Sequence, residues 1–350
     1  MPRRTTSTAA AFLGAAACLP SVASAQLTDF SSPATLDRWM YPFNGSPGTR
    51  LAASTFSARR IDGFDDHDAQ FIVGFDSSSA FQTGLDPSMY RVTSVVVYAS
   101  VTGEDRFRFD PTYDNQNTYD SQDGGYPNLV DDLDEGRPIH LWGLGYRDEF
   151  GASSWGETTT FGFNPVVPPA QEARTAFGAV FDASGDPIDI SNNLTAEFDA
   201  TPFAIGQADG VQPGELVPTD TEFSFAVDLC DPGTKAYLAD GLSLGELRFA
   251  ISSLHFASGG PDGGTGDPLF PEFYTRENPI AQILGLAPRI EVTAFVGPIG
   301  DYNGDGNRNF FDIADYIADF NAREPLADIT GDCLFNFFDI SAFIAEFNTP

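Results

Sequence analysis

The chain of 350 residues sets 50 acidic against 18 basic side chains, a formal net charge of −32. A field of that sign repels nucleic acid and anionic membranes and attracts divalent cations. With three cysteines, disulfides cannot staple a fold of this size, so the 32 phenylalanines and the aliphatic residues must build the core.

The opening MPRRTTSTAAAFLGAAACLPSVASAQ puts Arg3 and Arg4 before an apolar run too short to cross a bilayer, ending in Ala23-Ser24-Ala25. That is the pattern of a secretory signal peptide over residues 1–25, cleaved near Ala25, so the mature chain is expected to start at Gln26. A lipidated Cys18 fits less well, because Ala15 stands where Leu or Val is expected. No other stretch reaches the roughly 20 apolar residues of a membrane span. Cleavage removes two arginines and leaves 16 basic residues against 50 acidic ones. The remaining chain, about 325 residues long, suits one large domain and one small one. The expected location is extracellular or at the cell surface.

From Gln26 to Pro298 the pattern is β. Apolar or alternating runs recur at 71–75, 92–101, 139–142, 159–163, 177–181, 223–229, 247–256 and 289–296, separated by segments rich in Gly, Pro, Asp and Ser. Without helical periodicity between them, these runs predict a large antiparallel, jelly-roll-like β-sandwich over residues 26–298.

Within it, the segment 110–136 gathers Asp110, Asp114, Asp120, Asp123, Asp131, Asp132, Asp134 and Glu135 around Tyr113, Tyr119 and Tyr126. Oxygen ligands at that density suit a calcium ion, and exposed tyrosines suit sugar rings, whereas a plain solvated loop needs neither. Trp142, Tyr146 and Trp155 read as core. His67, His140 and His255 are far apart in sequence, and His67, in DGFDDHDAQ, is expected at the surface with a raised pKa. Cys230 and Cys333 fall in different predicted domains, and sequence leaves their pairing open. No nucleophile elbow, HExxH pair or phosphate loop is present, so no catalytic residue is assigned.

After Pro298 the period changes. DYNGDGNRNFFDI begins at Asp301, followed by Ile313, Tyr316, Ile317 and Phe320 at helical spacing. The pattern returns 27 residues later at Asp328, an internal duplication. In a 12-residue calcium loop, positions 1, 3, 5, 7, 9 and 12 face one ion, position 7 through its carbonyl. Here they are Asp301, Asn303, Asp305, Asn307, Asn309 and Asp312, with Gly306 at the turn. The second set is Asp328, Thr330, Asp332, Leu334, Asn336 and Asp339, with Cys333 at the turn. Thr330 is a poorer ligand than Asn, and a non-glycine turn costs about 1 kcal/mol, so the second loop is expected to bind more weakly.

Residues 299–350, with these two loops and the apolar positions Ile313, Tyr316, Phe320, Ile340, Phe343 and Phe347, resemble a type I dockerin. They are also similar to the dockerin-like tails of secreted planctomycete-type proteins. The resemblance implies a small α-helical domain of two calcium loop–helix repeats. It also implies Ca2+ as cofactor and a cohesin-like or other surface protein as partner. One departure stands out: the pair after position 9, Ser-Thr in many dockerins, is Phe310-Phe311 and Phe337-Phe338. These rings are expected either to pack the helices together or to form an apolar docking face. In the β region, FIVGFDSSSAFQTGLDPSMYRVTSVVVYASV and FPEFYTRENPIAQILGLAPRIEVTAFV are similar to jelly-roll modules of the DNRLRE type. The expectation is a non-catalytic, calcium-binding protein that attaches to extracellular surfaces or polysaccharide. The alternatives are a polysaccharide-degrading O-glycosyl hydrolase or lyase, and a structural envelope component. Nucleic acid and a membrane span are not expected.

Overall fold

The computed structural model describes residues 26–59, 63–114, 118, 134–162, 173–182, 184–257 and 269–349. The expected signal peptide lies outside them, as do Tyr119, Asp120, Asp123, Tyr126, Asp131 and Asp132 of the acidic segment. Among the described residues the chain is mainly β, and its named strands pair antiparallel throughout.

One sheet runs β1 (Gln26–Pro33), β14 (Arg289–Val296), β5 (Tyr90–Ser100), β11 (Glu222–Ala226) and β10 (Gln207–Ala208). A second runs β2 (Leu36–Met40), β4 (Gln70–Asp76), β12 (Glu246–Ser253), β6 (Ile139–Tyr146), β7 (Ala176–Phe181) and β8 (Pro187–Asp189), with β9 (Ala204–Ile205) on β6. A short pair, β3 (Ala52–Ser54) and β13 (Glu272–Tyr274), lies beside them. The first strand pairs with the last of the β region along its whole length, Gln26 opposite Val296 and Pro33 opposite Arg289.

Alternation builds the core between the two large sheets. Val95 and Val97 of β5 lie opposite Val292 and Ile290 of β14, all buried, while Glu291 between them points to solvent. From the other sheet, Phe71, Val73 and Phe75 of β4 and Leu247, Phe249 and Ile251 of β12 join the same cluster. The intervening Ile72 and Ala250 face the opposite way, into a second cluster with Trp142, Leu144 and Trp155. The larger sheet is therefore covered on both faces. Trp142 and Trp155 are core, as expected.

Two expectations need correcting. Residues 159–162 form no strand, only bends at 159 and 161, and Phe163 lies outside the described residues. There Gly162 backs closely onto Ala173, whose carbonyl oxygen would stand 2.1 Å from a Cβ. The β region also contains helices that periodicity does not reveal, α1 (Pro232–Leu244) and α2 (Pro279–Leu284). End signals define α1 better than its apolar stripe: the Asp231 carboxylate accepts from Thr234 N at 2.7 Å, Pro232 opens the first turn, and Gly245 closes the helix at φ 81°.

The C-terminal residues build a separate small core. Helices α3 (Phe310–Ala322) and α4 (Phe337–Phe347) meet where Tyr316 stacks on Phe343, ring centroids 4.1 Å apart, with Tyr302 edge-on to both. Ile317, expected on the packed face, is 50% exposed; two short helices bury only the narrow stripe along their line of contact. Cys230 and Cys333 form a disulfide, which joins this unit to the segment just before α1.

Candidate metal centre

Each helix of the tail starts from the loop before it by the same device. The Asn309 side chain accepts from Phe311 N at 2.8 Å, and the Asp312 carboxylate accepts from Asn309 N at 2.7 Å. Asn336 and Asp339 repeat this with Phe338 N at 2.7 Å and Asn336 N at 2.9 Å. These are capping boxes, which satisfy backbone donors that a helix start leaves orphaned. The carboxylates of Asp312 and Asp339 are fully buried, and each reaches back across its loop to a further N–H, of Asn303 at 3.2 Å and of Thr330 at 3.0 Å. Burial pushes the Asp339 carboxyl up, but the donors from Asn336 and Thr330 outweigh it and hold the group below its usual range.

In the first loop the donors run out before the acceptors do. Asp301 is 6% exposed; its Oδ2 accepts from Gly306 N at 3.0 Å, while its Oδ1 is buried without a hydrogen-bond partner. The side-chain oxygens of Asn303 and Asp305 accept from Asp305 N at 3.1 Å and Asn307 N at 2.8 Å. The Asn307 carbonyl accepts one bond, from Asn309 Nδ2 at 2.9 Å, and keeps a second lone pair. Gly304 and Gly306 supply the left-handed turns, φ 74° and 82°. A loop with a buried, unsatisfied carboxylate oxygen and several hard oxygen donors could hold a hard cation such as calcium.

The second loop has the same path but a different economy. Cys333 holds the left-handed turn at φ 58° where the first loop has glycine. Oxygens of Asp328, Asp332 and Asp339 lie within 4.8 Å of one another. Yet Asp328 is saturated: Oδ1 accepts from Gly331 N and Asp332 N, and Oδ2 from Cys333 N and the Lys235 ammonium at 3.0 Å. Carboxylate spacing alone favours this loop for a metal. Free lone pairs favour the first, and they are the better guide, because a ligand must offer an unoccupied electron pair. Sequence reasoning missed Lys235 here; its one signal is that it is the sole lysine in the chain.

The doubled phenylalanines do not pack the helices together. Phe310, Phe311, Phe337 and Phe338 are 65–73% exposed. Between the helices opens an apolar groove of about 390 Å³, lined by Ile313, Ile317, Phe320, Ile340, Ile344 and Phe347 among others.

Two acidic groups in the sandwich are already neutralised in part. Asp110, Asp114 and Asp134 come within 4.8 Å, tied by the Thr112 hydroxyl to Asp110 and Asp134 and by Arg137 to Asp114 at 3.6 Å. Asp37, Glu157 and Glu277 surround Arg276, whose guanidinium contacts both glutamates.

His67 overturns its surface expectation. His67, His140 and His255 are 1%, 2% and 6% exposed, and the rings of His67 and His140 lie 6.5 Å apart. Residues far apart in sequence therefore come together where β4, β6 and β12 are adjacent. His67 is held between Ser252 Oγ at 2.9 Å and Asn193 Oδ1 at 3.1 Å, and Ser252 also accepts from Trp142 Nε1. Burial, then the neighbouring His140 and Arg174, pull the His67 pKa well below normal, against the Asn193 bond. Burial pulls His140 down to about 3; burial, then Arg137 and His140, do the same to His255. The acids flanking His67 in sequence do not raise it, because its ring points into the sheet.

No protein-family model matches the chain, and a search of curated proteins finds no match. Among the described residues no helix is long and apolar enough to cross a membrane.

A histidine kept neutral in the fold takes up a proton on unfolding below pH about 6.5, so the stability tied to it is full above that value and fades as pH falls toward 3. His140→Gln, destabilised at pH 7, is expected to close its gap to the wild type by about 2 kcal/mol between pH 6.5 and 5. Denaturant unfolding at several pH values checks this, and a gap that does not change with pH contradicts it.

Proposed function

We propose that the protein is a secreted, non-catalytic, calcium-binding β-sandwich protein of jelly-roll type that attaches to an extracellular surface protein through a dockerin-like C-terminal tail. The observation that carries the calcium reading is Asp301, a buried carboxylate with one oxygen unpartnered at the head of a loop rich in side-chain oxygens. Asp301, Asn303, Asp305, the Asn307 carbonyl, Asn309 and Asp312 would hold the ion, and their second-loop counterparts from Asp328 to Asp339 would hold another more weakly. Calcium supplies charge neutralisation here and no chemistry. The Cys230–Cys333 disulfide supports an oxidising destination, in keeping with the signal-like N-terminus.

The docking reading rests on the exposed phenylalanine pairs. Two pairs of large rings open to solvent in a chain of net charge −32 are exposed apolar features of the kind that mark an interaction surface. Both pairs sit at the N-terminal ends of their helices, so the duplication presents the same feature twice. A partner with an apolar face, cohesin-like or otherwise, would meet one pair or both.

Calorimetric titration of the full mature chain is expected to show a tight calcium site that Asp305→Ala abolishes, with a calcium-dependent rise in Tm lost in the same variant. Heat and Tm that do not respond to calcium would rule the reading out. In a pull-down from the native secreted fraction, replacing Phe310, Phe311, Phe337 and Phe338 by Ser is expected to remove a partner that the wild type retains. Recovery of the same proteins by both forms argues against docking through these rings.

A further inference from the structure

The contact between Lys235 and Asp328 joins two parts of the chain that sequence assigns to different domains. Lys235 sits on α1, one turn from the helix start, and its Nζ lies 3.0 Å from Asp328 Oδ2. The pair is well sheltered, with side-chain exposures of 24% and 4%. The lysine stem lies flat against the second loop: a Cβ on Gly331 would stand 3.0 Å from Lys235 Cδ and 3.1 Å from Nζ. Glycine at 331, at φ 77°, leaves room for this close approach.

Asp328, Asp332 and Asp339 bring carboxylate oxygens within 4.8 Å of one another, and a positive charge beside them offsets their mutual repulsion. Among the described residues no basic side chain supplies such a charge to the acids of the first loop by direct contact, and one oxygen of Asp301 is left over. In the second loop Lys235 supplies it, and no electron pair of Asp328 is left open. The Cys230–Cys333 disulfide fixes the loop's turn to the residues preceding α1, so the ammonium is held close to the loop at high effective concentration.

We infer that Lys235 is the built-in cation of the second loop: it occupies Asp328 in place of a metal, competes there with calcium, and seats the tail on the sandwich. This rests on the calcium reading of the loops and adds a residue from outside them. The two repeats thereby divide the work. The first loop takes calcium from solution, while the second is latched to the body of the protein by an ion pair and a disulfide.

Calcium titration of the full mature chain by calorimetry separates the cases. The wild type is expected to show one tight site and a second at least about tenfold weaker. Lys235→Met keeps the stem and removes the charge, and the weak site should tighten by about tenfold or more. Lys235→Gln, a second neutral variant, should do the same, while Lys235→Arg should resemble the wild type. Adding Asp339→Asn to Lys235→Met should erase the gained affinity, which assigns it to the second loop. A tight site at the first loop with a second site unchanged by both neutral variants overturns the competition and leaves the calcium reading standing. No calcium binding by the wild type or the neutral variants overturns both.

Discussion

The tail of this protein is organised by the need of buried carboxylates for positive partners. Asp312 and Asp339 meet that need within the chain, each collecting backbone N–H groups from its own helix start and from across its loop. Those bonds fix the loops' curvature and place the helices. What remains is the carboxylate at the head of each loop, and there the repeats part ways. Asp301 keeps an oxygen unpartnered, whereas Asp328 is filled by three backbone donors and a lysine.

The seam between tail and sandwich follows from the same need. Arg91 of β5 lies between Phe295 and Tyr302, its guanidinium 4.1 and 5.1 Å from their ring centres. Burial draws its pKa down to about 10, opposed by Tyr302, Asp301 and Asp319, so it remains a cation at neutral pH. The sandwich thus turns one arginine and its single lysine toward the acidic loops, and a cleft of about 380 Å³ runs between them. In a chain with so few basic residues, that allocation ties the small unit to the large one electrostatically as well as covalently.

Sequence reading reached the loop–helix repeats in most detail, because the Asp and Asn spacing and the helix periodicity are local and recur after 27 residues. The strands at 71–75 and 289–296 were equally legible, since burial there follows an apolar run or, up to Ala294, an alternation. Helix α1 was not, because its signals are Asp231, Pro232 and Gly245 at the ends, with a weak stripe between. Histidine burial escaped for a different reason: His67 is flanked by acids in sequence, but the pairing of β4 with β12 decides its environment. Lys235 and Asp328 stand 93 residues apart, and no local pattern announces such a pair. The phenylalanine pairs were recognised as a departure, but only the packing of Tyr316 on Phe343 decides that they face outward.

The asymmetry between the loops is the central claim, and anomalous scattering from crystals of the full mature chain soaked in a terbium salt tests it most directly. The account predicts a strong peak among Asp301, Asn303, Asp305 and Asp312, with Lys235 still on Asp328 and little or no density in the second loop. Peaks of equal height in both loops, with the lysine displaced, would contradict it.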